Sequence, residues 1–274
     1  MDSEGRALPS CAMRIIDLDD EHRELFSLCL EDWSDEAKEA GTRRAAWIDR
    51  FLDRGLRAKL ALDDGGRAGG MIQYLPVEQS FVDGVGLHFI NCIWVHGYDK
   101  GRGNFQKRGM GSALLAAAED DARALGAKGM AAWGVWLPFW MKASWFKKHG
   151  YRKADRDGLA VLLWKPFASD ARPPRWHAKT TTKPELSPGG KVTVTAYVNG
   201  WCTAQNLVAE RAKRAAAELG DRVAYREIDT SEPGAAARHG ISDAVHVDGK
   251  PLTFGPPPSY EKIVKVIEKR LRRL

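Results

Sequence analysis

The chain has 274 residues, 44% of them hydrophobic and 28% charged, with a formal net charge of +6 and a sequence pI near 9.1. That is ordinary globular material with room for two modest cores, and it holds no run of about eighteen apolar residues to span a bilayer. The basic residues are scattered without an aromatic-basic recognition motif, which weighs against nucleic acid, and the densest run, Lys269 to Arg273, closes a terminal helix whose carbonyl end favours cations.

Met1 to Met13 lacks the apolar centre of a signal peptide, so a flexible N-terminus (1–13) and a cytoplasmic location are expected. Arg14 to Leu18 reads as a first strand. Asp20 to Trp33 places Leu25, Phe26, Cys29 and Leu30 on one helical face, and a second helix runs through Arg44, Trp47, Phe51 and Leu52 until Gly55 stops it. Arg57 to Asp63 and Gly70 to Pro76 form a hairpin about Asp64-Gly65-Gly66, and the apolar stretch Val85 to Val95 fits a buried central strand. Met110, Leu114, Leu115, Ala118, Ala122 and Leu125 recur at helical spacing until Gly126. Gly129 to Trp140 is a strand and loop carrying Trp133, Trp136 and Trp140, Met141 to His149 a short helix closed by Gly150, and Leu159 to Trp164 a last strand. From Ala168 to Gly190 the composition turns to Pro, Thr, Lys and Ser, the mark of a linker. Beyond it come a strand (Val192 to Val198), a loop through Cys202, an alanine-rich helix to Leu219, a strand (Val223 to Ile228), Val245 to Gly249 and a helix from Tyr260.

The run Gln106-Lys107-Arg108-Gly109-Met110-Gly111, followed by Ser112, lies where a strand and a glycine-rich loop feed an amphipathic helix. Glycines let the backbone curl, the first N–H groups of the helix converge, and the positive end of its dipole lies behind them, so a pyrophosphate would bind there with added charge from Lys107 and Arg108. The same glycines serve equally well in a plain turn. Gly101 and Gly103 form a rival pair, less favoured because Asn104-Phe105 separates them from the helix.

The spacing resembles the acetyl-CoA loop of the GCN5-related N-acetyltransferases (GNAT), written Gln/Arg-x-x-Gly-x-Gly/Ala, and residues 14–167 resemble that family in element order. Phe89-Ile90-Asn91-Cys92-Ile93-Trp94-Val95 and Trp145-Phe146-Lys147-Lys148-His149-Gly150-Tyr151 resemble the YoaP-like subgroup, which carries a small thioredoxin-like domain behind the transferase. The resemblance implies an α/β (α+β) fold: a mixed, largely antiparallel GNAT sheet with flanking helices over 14–167, a linker over 168–190 and a smaller thioredoxin-like domain over 191–274. A splay between the two middle strands is expected where the thioester arm enters.

That resemblance also implies acetyl-CoA as co-substrate and a small amine as acceptor, attacking the thioester directly. Trp94 and Val95 would present backbone N–H groups to the acyl oxygen and pantetheine arm. A base is required, and Glu78, His88, His96 and Asp99 lie near the strands facing the acceptor cleft; His96 is best placed because it follows the cofactor strand and an imidazole titrates near neutral pH. Each of them also reads as an ordinary sheet or loop residue. The family's general acid, a tyrosine four residues before the glycine that ends the short helix, is Phe146 here. Tyr151 or Ser144 then substitutes, water serves, or the thiolate leaves unaided, which a thiol pKa of about 8.5 tolerates. Trp133, Trp136, Trp140 and Trp145 read either as core or as aromatic walls for an ammonium-bearing acceptor.

Cys11, Cys29, Cys92 and Cys202 are far apart without metal-ligand spacing, so reduced thiols and no metal are expected. Trp201-Cys202-Thr203-Ala204-Gln205 stands where thioredoxin carries Trp-Cys-x-x-Cys, but Gln205 cannot resolve a mixed disulfide and Ser242-Asp243-Ala244-Val245 lacks the neighbouring proline. Either Cys202, at a helix N-terminus with a lowered pKa, acts as a monothiol, or the domain has lost its chemistry and serves for docking or dimerisation, which leaves a homodimer open. Beside the transferase stand two other readings: a non-catalytic acyl-CoA or small-thiol binding protein, and monothiol or metal chemistry at Cys202 coupled to acyl transfer.

Overall fold

The computed structural model describes residues 13–136, 141–178, 186–187, 189–232, 234–252 and 256–274. The expectations for residues 1–12, for Trp140 and for linker residues 179–185 fall outside the described residues. β1 (Arg14–Asp17), β2 (Arg57–Leu62) and β3 (Ala68–Pro76) run antiparallel to their neighbours, with Asp63 turning the hairpin by accepting the N–H groups of Gly65 and Arg67 at 3.0 and 2.8 Å. A two-residue β4 (Val82–Asp83) precedes β5 (His88–Val95). α3 (Met110–Ala124) leads to β6 (Gly129–Val135), then α4 (Ala143–Lys148), β7 (Arg152–Asp157) and β8 (Ala160–Pro166). The large sheet has the order β1-β2-β3-β5-β6-β8-β7, antiparallel except for the central β5–β6 pair.

Both faces are covered. α3 and α4 bury Leu114, Ala118, Ala122, Ala143 and Phe146 against Ile72, Ile90 and Leu163. The opposite face carries α1 (Arg23–Ser27) and α2 (Asp35–Leu52), which bring Phe26, Trp47, Ile48 and Phe51 onto Leu60, Met71 and Leu75. A mixed, largely antiparallel α/β sheet with flanking helices was expected, and this is that fold.

Three segments depart from the sequence reading. The predicted helix over Asp20 to Trp33 is only five residues long, and Cys29 and Leu30 take left-handed φ of 53° and 65°. Phe26 and Leu28 stand on opposite sides of any continuous helix yet are both buried, so the chain unwinds to bring each to the core. α2 starts earlier than Arg44, at Asp35, because the Ser34 hydroxyl accepts the Ala37 N–H at 3.2 Å. β7, Arg-Lys-Ala-Asp-Arg-Asp, carries no apolar alternation because it is the charged edge of the sheet.

Part of the expected linker is also laid down as structure. β9 (Arg175–Trp176) pairs with β4, the Trp176 N–H donates to Asp155 at 3.0 Å, and its ring stacks at 6.4 Å on Phe81. The C-terminal part then builds a four-stranded sheet from β10 (Val192–Val198), β11 (Val223–Asp229), β12 (Ala244–Val247) and β13 (Lys250–Pro251), ordered β11-β10-β12-β13. β10 and β11 are parallel and the other pairs antiparallel. α5 (Thr203–Glu218) and α7 (Tyr260–Leu271) cover it, and a short α6 (Ala235–His239) sits between β11 and β12. Among the described residues no helix is long and apolar enough to cross a membrane.

α5 packs along α2, and the seam is laced with ions. Arg43 of α2 reaches Glu210 and, at 2.6 Å, Glu227; Glu36 meets Arg211 at 2.5 Å and Arg214 at 3.2 Å; Arg50 meets Asp229 at 3.3 Å. Hydrogen bonding to Arg211 holds the Glu36 carboxyl below its ordinary range. Burial pushes Glu227 and Asp229 up, but Arg43 for the first, and Ser231 with Arg50 for the second, outweigh it and leave both lowered. These groups stabilise the seam fully above their unfolded values, about 4 for free carboxylates, and the contribution is lost as pH falls through the depressed folded values. The melting temperature is therefore expected to fall as pH drops from about 5 to 3, and to fall less in an Arg43→Ala, Arg211→Ala variant, whose Tm at pH 7 is already lower.

Candidate active site

β5 and β6 begin as a regular parallel pair, His88 opposite Met130, Phe89 opposite Ala131 and Ile90 opposite Ala132, and there the pairing ends although both strands run on to Val95 and Val135. Asn91 is the cause. It is the extra residue of a bulge, since Tyr74 of β3 pairs with Ile90 while Gln73 pairs with Cys92, and a bulge bends and twists its strand. β5 stays paired to β3 and β6 to β8, so the two halves of the sheet part beyond Ile90 and Ala132 and leave a gap in the β5–β6 ladder. The Asn91 carbonyl, freed from the ladder, accepts the Trp133 indole N–H at 2.8 Å.

The glycine run stands at the mouth of this gap. Gly109, at φ 83°, is the residue before α3, and among the described residues no side chain caps that end, which leaves the first N–H groups of the helix open to a ligand. Gly111 is flanked by Val95 and Trp145: a Cβ there would meet their side chains at 3.7 and 3.4 Å. Gln106 donates from Nε2 to the Val95 carbonyl at 3.4 Å, tying the loop to the end of β5. Lys107 and Arg108 are exposed, the latter 5.5 Å from the Phe105 ring. The rival glycines lie elsewhere: a Cβ on Gly101 would strike Trp33, and the Gly103 carbonyl is taken by His96.

Residues 17–151 match the model of the acetyltransferase (GNAT) family. The matched segment is similar to that family. Solved structures similar to the chain include the PaiA N-acetyltransferase of Thermoplasma acidophilum in complex with coenzyme A (16% identity, 57% of this chain and 99% of that one, TM-score 0.43). Two others are a GNAT family N-acetyltransferase from Escherichia coli in complex with CoA (14% identity, 60% and 86%, TM-score 0.44) and a GNAT family acetyltransferase from Brucella melitensis in complex with acetyl-CoA (16% identity, 61% and 97%, TM-score 0.39). No curated protein matches the sequence.

Within the GNAT segment the expected acid–base residues are mostly sealed away from the gap. His96 is fully buried, its Nδ1–H donating to the Gly103 carbonyl at 2.8 Å and its Nε2 facing the Trp33 N–H at 3.5 Å. It holds the loop in place and has no free nitrogen for a substrate. Glu78 and His88 lie at the closed end of the β5–β6 pair; Glu78 accepts the Gly86 N–H at 2.7 Å, and burial lowers the His88 pKa. Asp99 is exposed in the loop beyond β5. Phe146 and Tyr151 pack together in the α3–α4 core, rings 5.4 Å apart, and Tyr151 is 3% exposed, its phenol pushed well up by burial and then by Glu119. A hydroxyl enclosed there does not face a leaving thiolate, which removes Tyr151 as the acid, whereas Ser144 is exposed on α4.

The tryptophans divide. Trp133 is partly buried at the gap, Trp145 lies 4.2 Å from the His149 ring with the planes tilted by 42°, and Trp136 is 66% exposed with Arg156 6.0 Å from its ring. Trp94 and Val95 occupy the end of β5, still paired to β3 but beyond its pairing with β6, and pack on opposite faces of the sheet. Ser112, on the first turn of α3, bonds His149 Nε2 at 3.0 Å; His149 Nδ1–H is committed to the Trp145 carbonyl at 2.9 Å, so the hydroxyl is the donor.

Two residues escaped the sequence reading. Glu31 lies half-buried in the turn between α1 and α2, beside His96 and Tyr98, and burial raises its carboxyl while the charge of His96 works the other way. Tyr98 in turn lies 6.0 Å from Trp94. Asn91 is 2% exposed and its Oδ1 has no hydrogen-bond partner among the described residues, an unmet acceptor worth about 1–3 kcal/mol. Neither residue belongs to a spacing motif, since one depends on an unwound helix and the other on a bulge.

Cys202 is a correction. It precedes α5 as expected, but it is 4% exposed, inserted with Trp201 into the core beneath α1 and α2, and burial, aided by Cys29, pushes its thiol up to about 12 rather than down. Desolvation outweighs the helix terminus here. Among the described residues no group of three or more His, Cys, Asp or Glu could hold a metal ion. Alkylation with iodoacetamide at pH 7.5, mapped by peptide mass spectrometry, is expected to leave Cys92 and Cys202 unmodified in the native chain and to modify both in urea; rapid native labelling of Cys202 would contradict this burial.

Proposed function

We propose that the chain is an acetyl-CoA-dependent N-acetyltransferase acting on a small amine, in a YoaP-like arrangement: a GNAT domain over 14–167, a connector over 168–190 and a thioredoxin-like domain over 191–274. One observation carries the reading: the gap between β5 and β6 ends at an uncapped helix N-terminus beside Lys107 and Arg108. A long thin molecule with a pyrophosphate at one end and an acyl thioester at the other fits that shape. The order β11-β10-β12-β13, with its one parallel pair and with helices following the first and last strands, supports the thioredoxin-like reading of the C-terminal part. The free thiols of Cys29, Cys92 and Cys202 suit a reducing, cytoplasmic compartment.

The first N–H groups of α3, with Gln106 to Ser112 around them, would hold the pyrophosphate, and Gly111 leaves the arm room to pass between Val95 and Trp145. The unpaired N–H groups near Trp94 and Val95 would bind the acyl oxygen as negative charge builds on it. A neutral amine then attacks the carbonyl carbon: the C–N bond forms, the C–S bond breaks, and CoA departs as thiolate to be protonated by water. Glu31 is our choice to take the ammonium proton, because its carboxyl is raised, half-accessible and on the face opposite α3 and α4, where an acceptor approaches. Phe146, which cannot donate a proton, favours a second reading, an acyl-CoA binding protein without turnover.

Calorimetric titration with acetyl-CoA is expected to show binding that Gly109→Asp, Gly111→Asp abolishes, since a side chain at φ 83° is strained and two carboxylates repel the pyrophosphate. Thiol release with an amine panel then separates turnover from binding alone. Glu31→Gln is expected to lower kcat/KM by about 10²–10⁴ with acetyl-CoA affinity unchanged. In the parent, kcat/KM falls as pH drops through the raised Glu31 value; persistence of that acid limb in Glu31→Gln would dismiss the residue as the base.

A further inference from the structure

The smaller unit touches the divided sheet on both sides of the bulge. The Trp201 carbonyl accepts the Gln73 side-chain N–H at 3.3 Å, and Gln73 is the β3 partner of Cys92, the residue after the bulge. On the other side the Trp201 ring meets Trp133 edge-to-face, centroids 6.1 Å apart and planes at 87°. Trp201 is itself fixed: its indole N–H donates to the buried Asp243 at 2.9 Å and its ring stacks at 5.6 Å on Phe81. Trp201 and the Asn91 carbonyl thus both hold Trp133.

Asn91 supplies the second observation. Its side-chain oxygen is buried, without a donor among the described residues, at the point where the sheet parts, and native cores leave few such acceptors unmet. A donor carried by a bound molecule would meet it. An N–H group suits that acceptor, and the partly buried, apolar Trp133 lies beside it.

Building on the transferase reading, we propose that Asn91 and Trp133 seat the acceptor, that Trp201 of the smaller unit positions Trp133, and that the acceptor is a primary alkylamine that bears an aromatic ring. The amine donates to Asn91 Oδ1 while its ring lies against Trp133, and the ammonium gains further from the aromatic face. Trp201 does not touch the acceptor. It sets the angle of the Trp133 ring, so that the thioredoxin-like loop, without a working thiol, becomes part of the selectivity of the transferase.

The test uses the full chain with 2-phenylethylamine and n-butylamine as acceptors at saturating acetyl-CoA, reading thiol release. The parent is expected to prefer 2-phenylethylamine by about tenfold or more in kcat/KM, a difference that one apolar contact surface can supply. Trp201→Ala is expected to raise KM for 2-phenylethylamine about tenfold with kcat nearly constant, to leave n-butylamine almost unchanged, and to be largely rescued by Trp201→Phe, the pattern of lost ground-state binding. Asn91→Ala is expected to weaken both amines. Acetyl-CoA affinity, measured separately by calorimetry, stays within about twofold of the parent in each variant, as for sites without shared partners. Equal loss of both amines in Trp201→Ala, or unchanged selectivity, overturns the positioning role. A parent that binds acetyl-CoA but releases no thiol with 2-phenylethylamine overturns the acceptor class, and a parent that binds no acetyl-CoA removes the transferase reading and this one together. If circular dichroism shows that Trp201→Ala does not fold, Trp201→Leu carries the same comparison against Trp201→Phe.

Discussion

The parting of β5 from β6 beyond Ile90 and Ala132 governs the arrangement around it. A continuous parallel pair would satisfy its own backbone and leave nothing for a ligand to bind. One extra residue, Asn91, breaks the register, and each strand is then carried away by the partner it keeps, β3 on one side and β8 on the other. Freed N–H and C=O groups need partners when buried. One carbonyl finds the indole of Trp133, while the end of β5 remains beside the uncapped start of α3. The pairings on both flanks keep the gap from closing.

The same point receives the smaller unit. Its Trp201-Cys202 loop lies among Phe26, Trp47, Met71 and Cys92, and the α2–α5 seam adds Arg43, Glu36, Arg211 and Glu227 around it. Burial of this kind is incompatible with thiol exchange, which needs an accessible thiolate. Arg44 shows how far the contact extends: it is fully buried, donates to Gln73 at 2.7 Å and to the Cys29 sulfur at 2.5 Å, and Gln73 in turn bonds Trp201. A polar chain thus runs from α2 through the sheet to the C-terminal loop. Such chains order a core when every member is satisfied, and Arg44 Nε remains the one guanidinium position without a partner.

Much of the fold was legible from local pattern. The hairpin from β2 to β3, the apolar β5, the α3 repeat and the element order of the C-terminal part each follow from alternation, helical period and glycine placement. The edge strand β7 was not, because a charged edge has no apolar face to show, and neither was the unwinding after Ser27, where Phe26 and Leu28 must reach the core from opposite sides. At the candidate site the glycine run and the tryptophan cluster could be read, since both depend on residues close together in the chain. Glu31 could not be distinguished from any other glutamate, and nothing in the run Phe89 to Val95 marked Asn91 as the bulged residue with an unmet acceptor.

By itself, then, the sequence determined the classes of element, the glycines able to curl about a phosphate and the absence of a resolving thiol at Gln205. Only the tertiary structure decided which polar groups are available. His96 is consumed by Trp33, sixty-three positions away, and by Gly103, while Cys202 is raised by a core assembled from α1, α2 and β5. Glu31 has its carboxyl raised by burial in the turn between α1 and α2, against the opposing charge of His96. Ionisation and access are set by desolvation and by charges a few ångströms off, and those distances belong to non-local packing that local pattern does not encode.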